Sequence, residues 1–246
     1  MKLLENLGSY LILMRTVLVR PDKGLIFRRQ LVSEIQNLGL DSLGIVAIIS
    51  IFMGAVVTIQ TAYNIDSPLI PLTMIGFTAR QSVILEFAPT IISLILAGKV
   101  GSRIASEIGT MRVTQQIDAL EVMGINASNF LILPKILASV LFNPVLIVMS
   151  IGLSLFGGWL VAILTQLYTT YDYISGLRLN FDGFTVFYAL IKTVVFAFII
   201  ASVSGYQGYR INGGALEVGQ ASTRAVVHSS ISIIVFNLLL TQLLLT

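Results

Sequence analysis

From Leu43 to Tyr63 the chain runs without an Asp, Glu, Lys or Arg. Four further stretches are nearly as apolar: Ser82–Gly98, Ile136–Leu164, Phe184–Gln207 and the shorter Ser229–Leu245. A helix needs about 20 mostly apolar residues to cross a hydrocarbon core of roughly 30 Å. Inside that core each segment must satisfy its own backbone hydrogen bonds, so an irregular apolar chain is not an option. Composition agrees: 56% of the 246 residues are hydrophobic and 11% charged, against about 25% charged in a soluble domain. The expected fold is an all-α integral membrane protein of about five transmembrane helices. The segments between them are turn-rich or polar. They are Asn64–Pro71, a long polar island over residues 99–129, Gln166–Gly183 with Tyr168, Tyr171 and Tyr173 as interfacial aromatics, and the Gly-rich Gly208–Arg224. Pro134 marks the expected start of the third span and Pro144 lies within it.

Ahead of the first span, Leu4, Leu7, Leu11, Met14 and Leu18 recur at three and four residue spacing, with Glu5, Asn6, Ser9 and Arg15 elsewhere on the wheel. No small-x-small cleavage site follows, so the segment reads as an amphipathic helix lying on an anionic leaflet rather than a leader. An ordinary helix preceding the first span is the alternative. Positive charge sets the orientation. With the N-terminus inside, the cytoplasmic segments carry Lys2, Arg15, Arg20, Lys23, Arg28, Arg29, Lys99, Arg103, Arg112, Lys135, Arg210 and Arg224. The outer ones carry only Arg80 and Arg178, beside Asp66, Asp172 and Asp182. The polar island is therefore expected in the cytoplasm. With no transit peptide ahead of Met1, a bacterial inner membrane is expected rather than a plastid envelope.

Several chemistries lack their residues. There is no cysteine, and the single histidine, His228, rules out a multi-histidine metal centre within one chain. The net charge of +3 is too small to point to nucleic acid. No GxxxxGK[ST] phosphate loop occurs, since Gly98-Lys99 is followed by Val100. Any energy from a nucleotide must come through a partner.

Two charges interrupt spans. Glu86 lies about 20 Å from the cytoplasmic end and Lys192 about 15 Å from the outer end at 1.5 Å per residue, which brings both near the bilayer middle. Ionisable groups there face an interior or a cavity. Glu86 and Lys192 are expected to pair or to line a polar patch in an apolar cavity, with a purely structural ion pair as the alternative. His228, beside Ser229 and Ser230, is placed at the start of the last span, where a hydrogen-bonded helix-start role outweighs nucleophilic catalysis because no Gly-x-Ser-x-Gly elbow occurs. Small residues recur every fourth position at Ala97, Gly101, Ala105 and Gly109, at Ser150, Ser154 and Gly158, and at Ala197, Ala201 and Gly205. Such faces allow close helix packing, either within one bundle or across a dimer.

Within the island, Val113, Ile117 and Leu120 form an apolar stripe, and Gln115, Asp118 and Glu121 another face of the same helix. Gly124 is a stop, followed by Asn126 and Ser128 as a cap region. A short cytoplasmic helix with an acidic and amide face suits docking into a partner's groove.

The run AGKVGSRIASEIGTMRVTQQIDALEVMGIN, from Ala97 to Asn126, resembles the signature of the MlaE family of permeases, membrane subunits of ABC systems that move phospholipids and related lipids with MCE-domain proteins. Gly54–Tyr63 resembles the family's first span, Glu86-Phe87-Ala88-Pro89 its Glu-Leu-Gly-Pro, residues 191–196 its lysine-bearing span, and Ser222–Ser230 its closing motif with Arg224, His228 and Ser229. The resemblance implies a homodimer bound to two ATPase subunits, which hold the ATP and magnesium, and contact with an MCE-domain protein on the periplasmic side. It assigns Glu107, Gly109, Thr110, Met111, Arg112, Gln116, Asp118, Ala119 and Leu120 to ATPase coupling. It places Glu86 and Lys192, with Gln60 of the first-span motif, as lipid-path or gating candidates. Many members have Arg immediately before the motif glutamate; here that residue is Leu85, which leaves Lys192 as the counter-charge.

The expectation is a single permease domain over residues 1–246, with an interfacial region over 1–40, a bundle over 43–246 and a coupling segment over 99–125, in which Ala97–Gly109 continues from the second span as a close-packed helix and Thr110–Met123 is the part that docks. It has no catalytic residue, metal or cofactor of its own. It sits in the inner membrane of a Gram-negative bacterium, N-terminus cytoplasmic, with phospholipid as substrate. An intramembrane lipid-modifying enzyme using Glu86 or His228 as base lacks paired carboxylates and a nucleophile motif. A membrane scaffold leaves the mid-membrane charges unexplained.

Overall fold

Every regular element is a helix in the computed structural model, which describes residues 2–19, 24–65 and 69–245. Arg20, Lys23 and Asp66 lie outside the described residues. The α-helices are α1 (Lys2–Val17), α2 (Gly24–Glu34), α3 (Leu43–Asn64), α4 (Thr73–Ser82), α5 (Ile92–Leu96), α6 (Ser102–Val113), α7 (Gln116–Val122), α8 (Ala127–Thr165), α9 (Thr170–Arg178), α10 (Gly183–Tyr209) and α11 (Ala215–Leu245). Wide π turns at Ile35–Gly39, Val83–Ile91 and Ala97–Gly101, and a 3₁₀ turn at Leu40–Ser42, join consecutive helices without a break. Among the described residues, five continuous helices are long and apolar enough to cross a membrane: Ile26–Asn64, Thr73–Val113, Ala127–Thr165, Gly183–Tyr209 and Ala215–Leu244.

These helices overrun the expected spans. The first begins seventeen residues before Leu43, within the expected interfacial region. The second carries the first half of the polar island as helix, the continuation expected over Ala97–Gly109. Pro134 does not start the third, which begins at Ala127, where Asn126 Oδ1 accepts from the Asn129 N–H at 3.2 Å and the Ser128 hydroxyl at 2.8 Å. The last begins at Ala215, after Gly214 N–H donates to Glu217 Oε2 at 2.9 Å, so Arg224, His228 and Ser229 lie well inside it. Hydropathy marks where lipid must be met; a helix continues until a cap or a backbone break stops it.

The chain forms two packing units. The first comprises Met1–Asp41, Leu94–Phe142 and Val194–Leu239. In it α1 turns Met14 and Val17 inward and hydrogen-bonds to α10, Tyr10 donating to Ser202 at 2.8 Å and the Ser9 and Tyr206 hydroxyls sharing a bond at 2.7 Å. Leu7, Leu11 and Leu18 of the expected apolar stripe remain exposed, the arrangement an interfacial helix uses to meet acyl chains. Gly101 approaches Ser204, and Gly109 approaches Ile211.

The second unit comprises Ser42–Ser93, Asn143–Thr193 and Leu240–Thr246. Here α3 and α8 touch backbone to backbone: a Cβ on Gly54 would run into the Ser154 carbonyl, and one on Gly157 into that of Ile51. Ser50 donates to Ser150 at 2.7 Å. Gly205 of the third stripe approaches Ile132, so each of the three small-residue stripes makes a close contact within the chain. The outer segment also differs from expectation. Of its three tyrosines, Tyr168 and Tyr173 are buried against the protein, donating to the carbonyls of Gly158 at 2.8 Å and Leu155 at 3.1 Å, and Tyr171 is exposed. Burial pushes the Tyr173 hydroxyl up to about 12 against the opposing effect of Thr58, and raises Tyr168 as well. Arg80 is buried rather than a loop cation. It donates to the carbonyls of Leu177 at 2.6 Å, Leu179 at 3.0 Å and Asn180 at 3.3 Å, satisfying the end of α9.

Candidate functional site

In the second unit, Pro89 sits inside the π turn Val83–Ile91, where it has no N–H to donate. The Leu85 carbonyl of the same turn accepts from Lys192 Nζ at 3.2 Å. The same ammonium donates to Glu86 Oε2 at 2.9 Å and to Thr241 Oγ1 at 3.2 Å, and lies 4.8 Å from the centre of the Tyr188 ring. Three donor hydrogens thus meet three acceptors, with an aromatic face alongside. Tyr188 donates to Thr241 at 2.9 Å, and Thr90 donates to Glu86 Oε1 at 3.0 Å. The Lys192 side chain is 0% exposed and that of Glu86 44%, so the carboxylate faces outward from a buried cation. Gln60 is exposed on α3. Thr241 and Tyr188 carried no signal in the sequence, because a hydroxyl in an apolar helix has no fixed partner.

The island, in the first unit, is not one helix. Gln115, at φ 61°, is left-handed and separates α6 from α7, so Val113 and Ile117 lie on different helices and the expected stripe is broken. The end of α7 does follow expectation. Gly124, at φ 76°, donates to the Glu121 carbonyl at 2.9 Å and Ile125 N–H to that of Leu120 at 3.0 Å, a Schellman closure. The acids of the expected face each have a partner within the unit but stay exposed. Asp118 accepts from Arg112 at 2.7 Å across the break, and Glu121 from the Tyr209 hydroxyl at 2.8 Å. Beside these two acids, α7 and its end leave outward Gln116, Ala119, Val122 at 89% exposure and Met123 at 65%. Upstream, Glu107 pairs with Lys135 at 2.8 Å, and Lys135, nearly fully buried, also pairs with Glu34 at 2.7 Å. Gly109 is buried, Thr110 is exposed, and Met111 and Leu120 are half-buried. Arg103 pairs with Asp41 at 2.9 Å. Glu34 and Asp41 are partners that sequence spacing could not supply.

On α11, Ser229 is buried, and Arg224 and His228 are exposed one turn apart. His228 Nδ1 lies 2.9 Å from Gln207 Nε2, so it is hydrogen-bonded as expected, but from mid-helix. Among the described residues no group of three His, Asp or Glu side chains could hold a metal ion.

A family model described as Permease MlaE matches residues 31–243. The chain is 33% identical over 245 residues to a probable ABC transporter permease protein of Rickettsia bellii, covering 98% of this chain and 93% of that one. It is 28% identical over 215 residues to the intermembrane phospholipid transport system permease protein MlaE of Haemophilus influenzae, covering 87% and 82%. It is 30% identical over 240 residues to the chloroplastic protein trigalactosyldiacylglycerol 1 of Arabidopsis thaliana, covering 92% of this chain and 64% of that protein.

Proposed function

The chain belongs to the MlaE family of ABC transporter permeases, and from that premise we propose that its cargo is phospholipid or a related lipid, exchanged between a bacterial inner membrane and an MCE-domain protein on the periplasmic side. The observation that carries this reading is the family match across residues 31–243 together with a relative named for intermembrane phospholipid transport. The working assembly is a homodimer with two ATPase subunits, which bind ATP and magnesium. The missing phosphate loop supports that division of labour. The bacterial relatives support a Gram-negative inner membrane, and the cationic residues Arg28, Arg29, Lys99, Arg103 and Arg112 support a cytoplasmic N-terminus and island.

ATPase closure pushes on α7. The Arg112–Asp118 pair and the Schellman closure make that short helix a firm handle, and α6 carries the push into the second span. Glu107, Gly109, Thr110, Met111, Arg112, Gln116, Asp118, Ala119 and Leu120 act in this coupling segment, with Ala119, Val122 and Met123 as its contact face. Glu86 and Lys192 serve the lipid path, the half-exposed carboxylate meeting head groups or gating while the buried ammonium holds it in place. Gln60 is a further polar group on that path. Arg224, His228 and Ser229 belong to the last helix.

The test is co-expression with the cognate ATPase and MCE subunits, followed by co-purification and ATP-dependent lipid transfer between labelled proteoliposomes. Wild type is expected to retain the ATPase and to transfer lipid. Val122→Asp is expected to insert and dimerise normally and to lose the ATPase. A Val122→Asp variant that still co-purifies with it overturns the coupling face, and ATP-independent or absent transfer by wild type overturns the cargo.

A further inference from the structure

The first unit contains a pocket of about 930 Å³ walled by α1, α10 and α11, within the range of roughly 300–1,000 Å³ typical of ligand pockets. Nothing above uses it. One part of its wall is apolar: Leu11, Val195, Phe198, Ile231 and Phe236. The other part is polar and cationic, with Arg210, Arg224 and Asn212.

Among the described residues neither arginine is paired with a carboxylate. Arg210 donates to the hydroxyls of Tyr206 at 2.5 Å and Ser9 at 2.8 Å and lies 5.5 Å from the Tyr206 ring centre, with no carboxylate partner. Arg224 makes no hydrogen bond or ion pair among the described residues. By contrast Arg103, Arg112, Lys135 and Lys192 each hold a carboxylate. The acid nearest in sequence to Arg224, Glu217, is turned to the start of its own helix, accepting from Gly214.

Polarity is graded along the pocket. Arg224, His228 and Ile231 follow at four and three residue spacing on one face of α11, and His228 is held by Gln207, another lining residue. From Arg224 to Phe236 is about 18 Å at 1.5 Å per residue. A free anion satisfies the guanidiniums but not the apolar wall, and a neutral hydrocarbon satisfies the wall but not the guanidiniums. We infer that this pocket binds an anionic amphiphile, with its acidic head on Arg210 and Arg224 and its acyl chain along Phe198, Ile231 and Phe236. The site is separate from Glu86 and Lys192. Its placement at the cytoplasmic leaflet rests on the topology proposed above, whereas the binding itself does not.

The test is native mass spectrometry of the purified full-length protein in neutral detergent, supplied with equal phosphatidylglycerol and phosphatidylcholine of matched chains. Wild type is expected to retain phosphatidylglycerol with roughly tenfold preference, the effect of charge-assisted bonds to the head group. The double variant Arg210→Gln/Arg224→Gln is expected to lose that preference. Val203→Trp, which fills the pocket and keeps both arginines, is expected to lose the bound lipid. The charge-matched control Arg178→Gln is expected to behave as wild type. Circular dichroism and elution volume check that each variant is folded. An unchanged preference in the double variant, or retained lipid in Val203→Trp, overturns the site. Competition by millimolar inorganic phosphate as strong as by lipid makes it a free-anion site and also overturns the inference. So does a change in oligomeric state without any change in bound lipid, which makes the groove a contact between copies. Binding without ATP-driven transfer sinks the transport reading alone; transfer with an arginine-independent lipid profile sinks this inference alone.

Discussion

An ammonium sealed from its surroundings must be met by acceptors, and Lys192 has Glu86, the Leu85 carbonyl and Thr241. The pair is asymmetric, because Glu86 keeps 44% of its side-chain exposure and Lys192 none. Removing the carboxylate leaves a buried cation with neutral acceptors only, a loss of about 3–5 kcal/mol for a broken buried pair. Removing the cation leaves a half-exposed carboxylate that Thr90 still bonds. Glu86→Gln is therefore expected to lower the unfolding temperature in detergent more than Lys192→Met, and the double variant to recover part of the loss. Equal losses from the two single changes contradict the asymmetry. The pairing was legible in the sequence, because two opposite charges at similar depth in apolar spans have few other partners. Arg80 was not, since its partners are carbonyls at the end of α9, and carbonyls are spelled by no residue type.

At the scale of elements, hydropathy located all five membrane-crossing helices but not their ends. Those ends depend on caps at Asn126 and Glu217 and on π turns that keep the helix going past Pro89 and Gly101. The break at Gln115 was illegible for a related reason: a left-handed residue is usually signalled by Gly or Asn, and glutamine gives no such sign. The small-residue stripes were legible as close contacts, but their partners were not. Gly54 faces the Ser154 carbonyl directly, whereas a Cβ on Gly152, also in a long helix, meets nothing within 4 Å. Gly54→Ala is expected to destabilise the protein by about 1–3 kcal/mol through overpacking, and Gly152→Ala to stabilise it by up to about 1 kcal/mol through helix propensity. Thermal unfolding of the two variants side by side checks the difference in sign.

For the whole molecule, the absence of cysteine makes topology directly measurable. Ala119 and Tyr171 are both exposed, on α7 and α9. On intact spheroplasts a membrane-impermeant maleimide is expected to label Tyr171→Cys and to reach Ala119→Cys only after lysis; the reverse pattern inverts the proposed orientation. A further consequence follows from the acids of α7. Asp118 and Glu121 are exposed but already matched by Arg112 and Tyr209, so the apolar part of the outward face is formed by Ala119, Val122 and Met123. At 1 M salt the Debye length shrinks to about 3 Å, which dissolves a contact built on exposed charges and strengthens one built on apolar surface. The ATPase is expected to stay bound through washes from 0.1 to 1 M salt, with less than about a twofold change in the amount retained. Assembly at this face would then be indifferent to the osmotic and ionic swings of the cytoplasm.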